Sequence, residues 1–160
     1  MKESRLRNAL APIRENYDYI LIDCPPSLSM LTVNALVAAD GVIIPMQCEY
    51  FALEGLSDLI NSIQRIAQAL NPALKIEGLL RTMYDPRMSL TNDVSAQLKE
   101  HFGEQLYQTV IPRNIRLAEA PSFGMPALVY DKQSRGALAY LALAGELSRR
   151  QRNSNKVATA

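Results

Sequence analysis

The sequence predicts an α/β protein with a parallel sheet and helices on both faces. Two observations lead to this prediction. Apolar patterns typical of strands and of amphipathic helices alternate along nearly all of the 160 residues. The composition is that of an ordinary globular protein, with 48% hydrophobic and 21% charged residues. It excludes a disordered chain, and with only two cysteines a disulfide framework is excluded as well.

Each element is predicted from its apolar period and from the turn residues at its ends. The helix at residues 53–70 is the clearest, because its apolar residues recur at three- and four-residue steps until Asn71-Pro72. Thr91 and Ser134 are predicted to cap the helices that follow them. The predicted elements, in chain order, are helix 4–11, strand 19–22, helix 28–39, strand 41–46, helix 53–70, strand 74–83, helix 91–102, strand 106–111 and helix 134–147.

The chain is predicted to form one α/β domain over residues 1–148, followed by a basic flexible tail over residues 149–160. The last helix has a predicted apolar face of Leu138, Leu141, Ala144 and Leu147. No apolar run reaches the roughly 18 residues that a spanning helix needs. The formal net charge is only +1, so nucleic-acid binding has to rest on local clusters of arginine.

Asp23 ends the predicted strand at residues 19–22. A rigid strand that ends in a carboxylate is what a magnesium-positioning acid beside a phosphate site requires. An Asp at a strand end is also a common turn-former or helix cap, so the position of Asp23 leaves both roles open. The sequence contains no Gly-rich phosphate loop, because none of its seven glycines is followed by Lys and no two are five residues apart. We therefore expect either that the chain is not a complete nucleotide hydrolase or that the loop lies upstream of Met1.

Several long motifs, in order, resemble the ParA/Soj family of chromosome- and plasmid-partition ATPases. The resemblance covers about residues 6–147 and implies a doubly wound, P-loop NTPase-like fold that is incomplete at its N-terminal side. The segment that carries the family's phosphate loop is not among these residues. The matching stretches are Tyr17-Asp-Tyr-Ile-Leu-Ile-Asp-Cys-Pro-Pro-Ser27, Ile44-Pro-Met-Gln-Cys-Glu-Tyr50, Ala52-Leu-Glu-Gly-Leu56, Thr82-Met83 with Asp85 and Arg87, and Ile111-Pro-Arg-Asn-Ile-Arg-Leu-Ala-Glu-Ala-Pro-Ser122.

The resemblance assigns roles to individual residues. Asp23 would be the Walker B acid that positions Mg²⁺, directly or through water, and Pro25-Pro26 would form the second switch. Pro112 and Asn114 match positions that bound the adenine pocket of ATP. Arg87 and Arg116 match positions that contact DNA without reading its sequence, which suits guanidinium groups on loops.

These assignments have simpler alternatives. Arg87 fits a solvated turn residue, and Arg113 and Arg116 have a potential ion-pair partner in Glu119, three residues beyond Arg116. For Pro112 the simpler alternative is that it only ends a strand and opens a helix.

The resemblance implies an ATP-dependent homodimer that binds nonspecific DNA and is stimulated by a ParB-like centromere-binding protein. A cytoplasmic, nucleoid-associated location without a membrane contact follows from the same resemblance. Without a phosphate loop, we expect this chain alone not to hydrolyse ATP. The main alternative is a non-hydrolytic remnant that acts as a weak DNA- or partner-binding module. A MinD-like membrane protein is disfavoured, because residues 149–160 lack an apolar helical face.

The missing segment also has an expected consequence for folding. The family's phosphate-loop strand lies between the strand at residues 19–22 and the strand at residues 41–46. Without that neighbour, the first strand would have unpaired backbone groups. We therefore expect faster hydrogen exchange at residues 20–22 than at residues 42–44.

Overall fold

A computed structural model describes residues 1–25 and 27–158, and within residues 154–158 it describes the backbone alone. The chain divides into two compact units. Unit 1 comprises Met1–Ile43 and Glu54–Glu77, and unit 2 comprises Ile44–Leu53 and the chain from Gly78 onward. The predicted boundary between a domain and a tail at residue 149 remains a prediction, although the backbone stays helical through Ala158.

In the described chain all five predicted helices and two of the four predicted strands form, and two short helices that were not predicted, Ile115–Glu119 and Ala127–Tyr130, are present as well. Most predicted bounds agree with the observed ones to within three residues, because these segments have strong local periodicity. Short 3-10 turns lie between several of them. The helices and strands are α1 Arg5–Leu10, α2 Met30–Ala38, β1 Gly41–Gln47, α3 Tyr50–Leu70, β2 Lys75–Thr82, α4 Ser89–Phe102, α5 Ile115–Glu119, α6 Ala127–Tyr130 and α7 Arg135–Ala158.

The sheet is parallel, which confirms the predicted fold class. In the described chain β1 and β2 form a two-stranded sheet. The next segment continues the parallel pairing only through isolated bridges, Leu79 with Leu106 and Tyr84 with Pro112. The predicted strand at residues 106–111 therefore lies beside β2 in the expected direction, without a full ladder. No helix of the described chain combines the length and apolar character needed to cross a bilayer.

The predicted strand at residues 19–22 does not form. Residues 19–25 have no regular secondary structure, and the side chains of Tyr19 and Leu21 are 49% and 85% exposed. The reason is that β-prone residues form a strand only where a neighbouring strand completes their hydrogen bonds. No strand of the described chain pairs with this segment.

Three finer predictions for the helices have different outcomes. Thr91 does not cap α4, because this helix begins at Ser89 and Thr91 is buried within its first turn. Ser134 does cap α7, since its Oγ accepts a hydrogen bond from the Ala137 N–H at 3.2 Å. The predicted apolar face of α7 is only partly buried, because Leu138 and Leu141 are 52% and 50% exposed.

In unit 1 a single amide joins the end of α2 to the end of α3. The Nδ2 of Asn71 donates to the carbonyl oxygens of Leu36 at 3.0 Å and of Ala39 at 2.9 Å. The last carbonyls of a helix have no partner within the helix. Asn71 supplies donors to this end of α2 and so fixes where β1 begins.

In unit 2 the close approach between β2 and the following segment depends on Gly78. A Cβ at this position would lie 2.6 Å from the Gln105 carbonyl oxygen and 2.7 Å from the ring of Tyr107. Arg81 of β2 links this strand to α4 and to the segment at residues 106–111. It donates to Ser95 Oγ at 2.8 Å and to the Tyr107 carbonyl at 2.7 Å. These contacts hold the segment that leads to the predicted site residues.

The segment at residues 106–111 is also held by α7. Glu146 is buried, and its two carboxylate oxygens accept the backbone N–H groups of Gln108 and Thr109, each at 2.9 Å. Arg150 donates to Glu146 and to the Leu106 carbonyl, both at 2.9 Å, and stacks over the ring of Tyr107. Side chains of α7 therefore satisfy backbone groups that a further strand would otherwise pair with.

Candidate functional site

The five predicted site residues fall in both units. Asp23 lies in unit 1, and Arg87, Pro112, Asn114 and Arg116 lie in unit 2. In unit 2 they belong to two segments that we call the arginine loops: residues 83–88, and residues 112–117, of which residues 115–117 form the first turn of α5. Both loops follow the carboxyl ends of neighbouring parallel segments, where ligands bind in open α/β sheets.

The two arginine loops are joined through their backbones. The Tyr84 N–H donates to the Ile111 carbonyl at 3.0 Å, and the Arg113 N–H donates to the Tyr84 carbonyl at 3.1 Å. These are the bonds of the parallel bridge between Tyr84 and Pro112. The structure thus brings together four of the predicted residues, which are 29 positions apart in the sequence at most.

The first arginine loop has an unusual backbone. Met83 adopts a φ of 49°, in the left-handed region that residues with a Cβ rarely occupy. The loop is braced beyond this residue, because the Tyr84 hydroxyl and Asn92 Oδ1 are 3.0 Å apart and Asn92 Nδ2 donates to the Pro86 carbonyl at 2.9 Å. The strain at Met83 is therefore held by its surroundings, as is common at functional loops.

Arg87 forms a bidentate ion pair with Asp85 in the same loop. Its Nε and Nη2 donate to the two carboxylate oxygens at 2.9 and 2.7 Å, and its backbone N–H donates to Oδ1 at 3.1 Å. The hydrogen bonds from Arg87 lower the pKa of Asp85 to about 2. The Arg87 side chain is still 86% exposed, so its Nη1 hydrogens remain open to another acceptor.

Arg116 lies between two carboxylates. Its Nη1 donates to Glu119 Oε2 at 3.0 Å, and its Nε lies 3.4 Å from Asp131 Oδ2. The hydrogen bond to Glu119 is the main cause that raises the pKa of Arg116. The alternative in which Arg116 pairs with Glu119 is therefore observed, and its contact with DNA remains a prediction.

Asn114 caps the short helix α5. Its Oδ1 accepts the backbone N–H groups of Arg116 at 3.0 Å and Leu117 at 3.3 Å. Since the cap uses the oxygen, the amide nitrogen is the atom that Asn114 can offer to the edge of a base. Pro112 beside it is half-buried and presents an apolar ring. The residues predicted at the adenine pocket are therefore rigidly placed, and their role with ATP is untested.

Asp23 is exposed in the irregular segment that follows residues 19–22. Cys24 beside it is also exposed, and partial burial followed by the charge of Asp23 raises the pKa of its thiol. Within the described residues no three His, Cys, Asp or Glu side chains come together as a metal site. Pro25 is exposed, whereas Pro26 lies outside the described residues. The structure therefore describes one of the two residues that are predicted to form the second switch.

A single carboxylate fits the kind of magnesium site expected here. Mg²⁺ commonly takes one or two protein carboxylates and completes its shell with water and substrate phosphate oxygens. Asp23 supplies one such oxygen ligand and is open to solvent. Its chemistry therefore suits magnesium held mainly by a phosphate ligand.

The arginine-rich motif also contains Arg113, for which the simpler alternative was an ion pair with Glu119; in the structure Glu119 is paired with Arg116 instead. Arg113 is exposed and forms none of the ion pairs found among the described side chains. Asp85, which fixes Arg87, was named only as part of the motif. The spacing of Asp85 and Arg87 could have predicted this contact, because an Asp side chain in a turn often accepts a hydrogen bond from the backbone N–H two residues later.

Comparisons with known proteins identify several relatives. A family model described as an AAA domain matches residues 1–76. The chain is 85% identical over 158 residues to an uncharacterized protein of Pseudomonas putida, covering 99% of this chain and 60% of that protein. It is 53% identical over 149 residues to the chromosome partitioning protein ParA of Myxococcus xanthus, covering 93% and 53%. It is 54% identical over 147 residues to the sporulation initiation inhibitor protein Soj of Bacillus subtilis, covering 92% and 58%.

Solved structures share the fold. The cobyrinic acid a,c-diamide synthase of Mycobacterium smegmatis with bound ADP and magnesium superposes with a TM-score of 0.77 at 34% identity, covering 96% of this chain and 55% of that one. The cell division ATPase MinD of Pyrococcus furiosus gives 0.72 at 23% identity, covering 92% and 58%, and so shows the fold alone. The fold is that of P-loop NTPases, and the chain spans 53% to 60% of the length of the three relatives named above.

Proposed function

Because the chain belongs to the ParA/Soj family of partition ATPases, we propose that it acts in chromosome or plasmid partitioning. It supplies the arginine loops that contact DNA, the residues that bound the adenine pocket and the acid that positions magnesium. Since the chain spans little more than half of its relatives, the activity of the intact protein is part of this proposal.

One observation carries the proposal. The hydrogen bonds between Tyr84 and residues 111 and 113 join the two arginine loops. They place Arg87 on one loop and Arg116 on the other, with 86% and 49% of their side chains exposed. Guanidinium groups on rigid, adjoining loops bind backbone phosphates without reading bases. This arrangement supports nonspecific DNA binding.

The nucleotide part of the proposal rests on Asp23, Pro112 and Asn114. Magnesium neutralises phosphate charge during phosphoryl transfer, and Asp23 would hold it together with phosphate oxygens. The ring of Pro112 would pack against the flat face of adenine. The amide nitrogen of Asn114 would donate to the base edge, because the oxygen of that amide is engaged in capping α5.

The proposal extends to the assembly. ATP would drive homodimer formation, and the dimer would bind DNA and respond to a ParB-like centromere-binding protein. These events take place in the cytoplasm on the nucleoid. The resemblance of the motifs and the relative named as a chromosome partitioning protein support this part of the proposal.

A second candidate function is favoured by the absence of a Gly-Lys phosphate loop from the 160 residues. Without that loop's backbone donors and lysine, the chain by itself lacks most of the electrostatic stabilisation of phosphoryl transfer. The chain would then act as a DNA- or partner-binding module that does not hydrolyse ATP. The two candidates share the arginine loops and differ in turnover.

The experiment measures DNA binding and ATP turnover by the purified chain. We expect a fluorescent duplex of arbitrary sequence to bind weakly, with an affinity that falls steeply with salt. Arg87→Ala and Arg116→Ala should each weaken binding uniformly across sequences. The matched control is Arg65→Ala, which removes an exposed arginine from α3.

Two results would contradict the proposal for this chain. If the duplex does not bind at low salt, or if Arg65→Ala weakens binding as much as the loop variants do, the arginine loops are not the DNA site. Magnesium-dependent ATP turnover that Asp23→Ala abolishes would overturn the expectation that the chain is inactive alone.

A further inference from the structure

The guanidinium of Arg116 has a carboxylate beside each of its two planar edges. Nη1, on one edge, donates to Glu119 Oε2 at 3.0 Å, and Nε, on the other edge, lies 3.4 Å from Asp131 Oδ2. A phosphate binds arginine most strongly along such an edge, through two parallel N–H···O bonds. Neither edge of Arg116 is therefore open to a bidentate phosphate unless one of the two carboxylates moves away.

Glu119 is held beside Arg116 by a second donor. The Tyr130 hydroxyl donates to the same Oε2 atom at 3.1 Å, and the Tyr130 ring stacks on Phe123 with ring centroids 5.0 Å apart. The Glu119 side chain is 35% exposed, so surrounding residues shield it from most of the water that would compete for this oxygen. The carboxylate that covers one edge of Arg116 is thus also anchored by a group other than Arg116.

Asp131 is held by the turn between α6 and α7. Its Oδ1 accepts the Gln133 N–H at 3.2 Å, and its Oδ2 is the oxygen that lies near Arg116. The helix that carries Arg116 packs closely on the start of α7, because a Cβ at Gly136 would overlap the Leu117 side chain of α5. Contacts between α5, α6 and α7 therefore place Arg116 and both carboxylates together.

We infer that Glu119 and Asp131 act on DNA binding through Arg116: they hold its guanidinium in place and lower its affinity for phosphate until DNA displaces one of them. The inference rests on the proposed function, in which Arg116 contacts DNA, and adds two positioning residues to that site. The three side chains together carry one positive and two negative charges at neutral pH, so the intact cluster does not attract a phosphate. Binding is an exchange in which phosphate oxygens replace carboxylate oxygens as acceptors.

Removal of either carboxylate charge should therefore strengthen DNA binding. An ion pair of this exposure contributes a factor of about three, so Glu119→Gln should tighten duplex binding about threefold. Asp131→Asn should tighten it about twofold, because Asp131 lies farther from the guanidinium than Glu119 does. The slope of log affinity against log salt should steepen by up to about one charge, because Arg116 then neutralises a DNA phosphate in place of a carboxylate.

The experiment measures binding of a fluorescent DNA duplex of arbitrary sequence to the full chain by anisotropy. Glu119→Gln and Asp131→Asn are each made in the parent chain and in Arg116→Ala. A carboxylate also repels DNA through space, and the double-mutant cycle isolates the part of its effect that acts through Arg116. The control is Glu100→Gln, which removes a carboxylate charge from an exposed position on α4.

Urea unfolding shows whether each variant keeps the fold. Asparagine at position 131 retains the oxygen that accepts the Gln133 N–H, so Asp131→Asn still tests the inference if Glu119→Gln does not fold.

We expect the gains in affinity to exceed that of Glu100→Gln in the parent chain and to disappear in Arg116→Ala. The inference is wrong if Glu119→Gln and Asp131→Asn leave the affinity unchanged or weaken it, or if they strengthen it equally with and without Arg116. If Arg116→Ala weakens duplex binding in the same assay, the proposed function stands whichever result the carboxylate variants give. If neither the parent chain nor the carboxylate variants bind the duplex at low salt, the proposed function and the inference both fail.

Discussion

Glu146→Gln tests how α7 holds the segment that leads to the second arginine loop. The buried carboxylate accepts two backbone N–H groups, from Gln108 and Thr109, and a hydrogen bond from Arg150, all at 2.9 Å. Glutamine has the same shape, but only one of its two terminal groups accepts. One backbone N–H would then face an NH₂ group, and Arg150 would lose its charged partner.

The expected cost is about 2–4 kcal/mol of unfolding free energy. Hydrogen bonds to charged groups contribute roughly 1.5–3 kcal/mol each, and a buried donor without an acceptor costs about 1–3 kcal/mol. Glutamine recovers part of this through the bond that its oxygen keeps. With Glu146 only 7% exposed, little water is available to replace the lost acceptor. Urea unfolding followed by circular dichroism measures the change.

The effect also depends on pH. Burial tends to raise the pKa of Glu146, but the two backbone N–H groups and Arg150 outweigh it, and the pKa is lowered below its usual 4.5. The stabilisation is therefore fully present above about pH 4.5 and is lost as pH falls through the lower pKa of the folded state. The difference in unfolding free energy between the parent chain and Glu146→Gln should therefore become smaller as the pH falls.

Glu100→Gln is the matched control, because it removes the same charge from an exposed position on α4. It should change the unfolding free energy by less than about 0.5 kcal/mol. The reasoning is refuted if Glu146→Gln is no more destabilising than this control at pH 7, or if the gap between the parent chain and Glu146→Gln widens as pH falls.

Two further predictions concern the first arginine loop and the strand before it. Asp85 should titrate in the folded chain with a pKa of about 2, and Arg87→Ala should return that pKa toward 3.8, as measured by NMR of the carboxyl carbon. The stabilisation from this ion pair is present above about pH 3.8 and is lost as pH falls toward 2. An unchanged pKa of Asp85 in Arg87→Ala would contradict the hydrogen bonds from Arg87 as the cause of the shift. Gly78→Ala should destabilise the chain by about 3 kcal/mol, because the added Cβ would meet the Gln105 carbonyl. Gly55→Ala is the control: no atom lies within 4 Å of the added Cβ, and alanine should stabilise α3 by about 0.5–1 kcal/mol. Equal effects of the two alanines in urea unfolding would refute this account of β2.

The elements that the sequence predicts correctly are those specified by nearby residues. The helix α3 carries its apolar period within its own 21 residues, and β1 and β2 are short apolar runs between turn residues. The run at residues 19–22 has the same β-prone character, yet it forms no strand. A strand depends on a neighbour elsewhere in the chain, which local periodicity does not report.

The predictions for the candidate site divide in the same way, into features that the sequence motif specifies and features that depend on residues distant in the sequence. The resemblance identified Asn114 and Arg116, and the structure adds that the oxygen of the first caps α5 and that the second is paired with two carboxylates. The role of Glu146 was beyond prediction, because its backbone partners lie 37 and 38 residues away in the sequence. Such contacts arise only once the strand and the helix have been packed together.

The most direct test of the central claim is an NMR titration of the isotope-labelled chain with a DNA duplex of arbitrary sequence at low salt. If the arginine loops form the DNA site, the amide shift changes will cluster in residues 83–88 and 112–117, and they will fade as salt is added. Changes confined to the basic residues 149–152 of α7, or none in either arginine loop, would contradict the account.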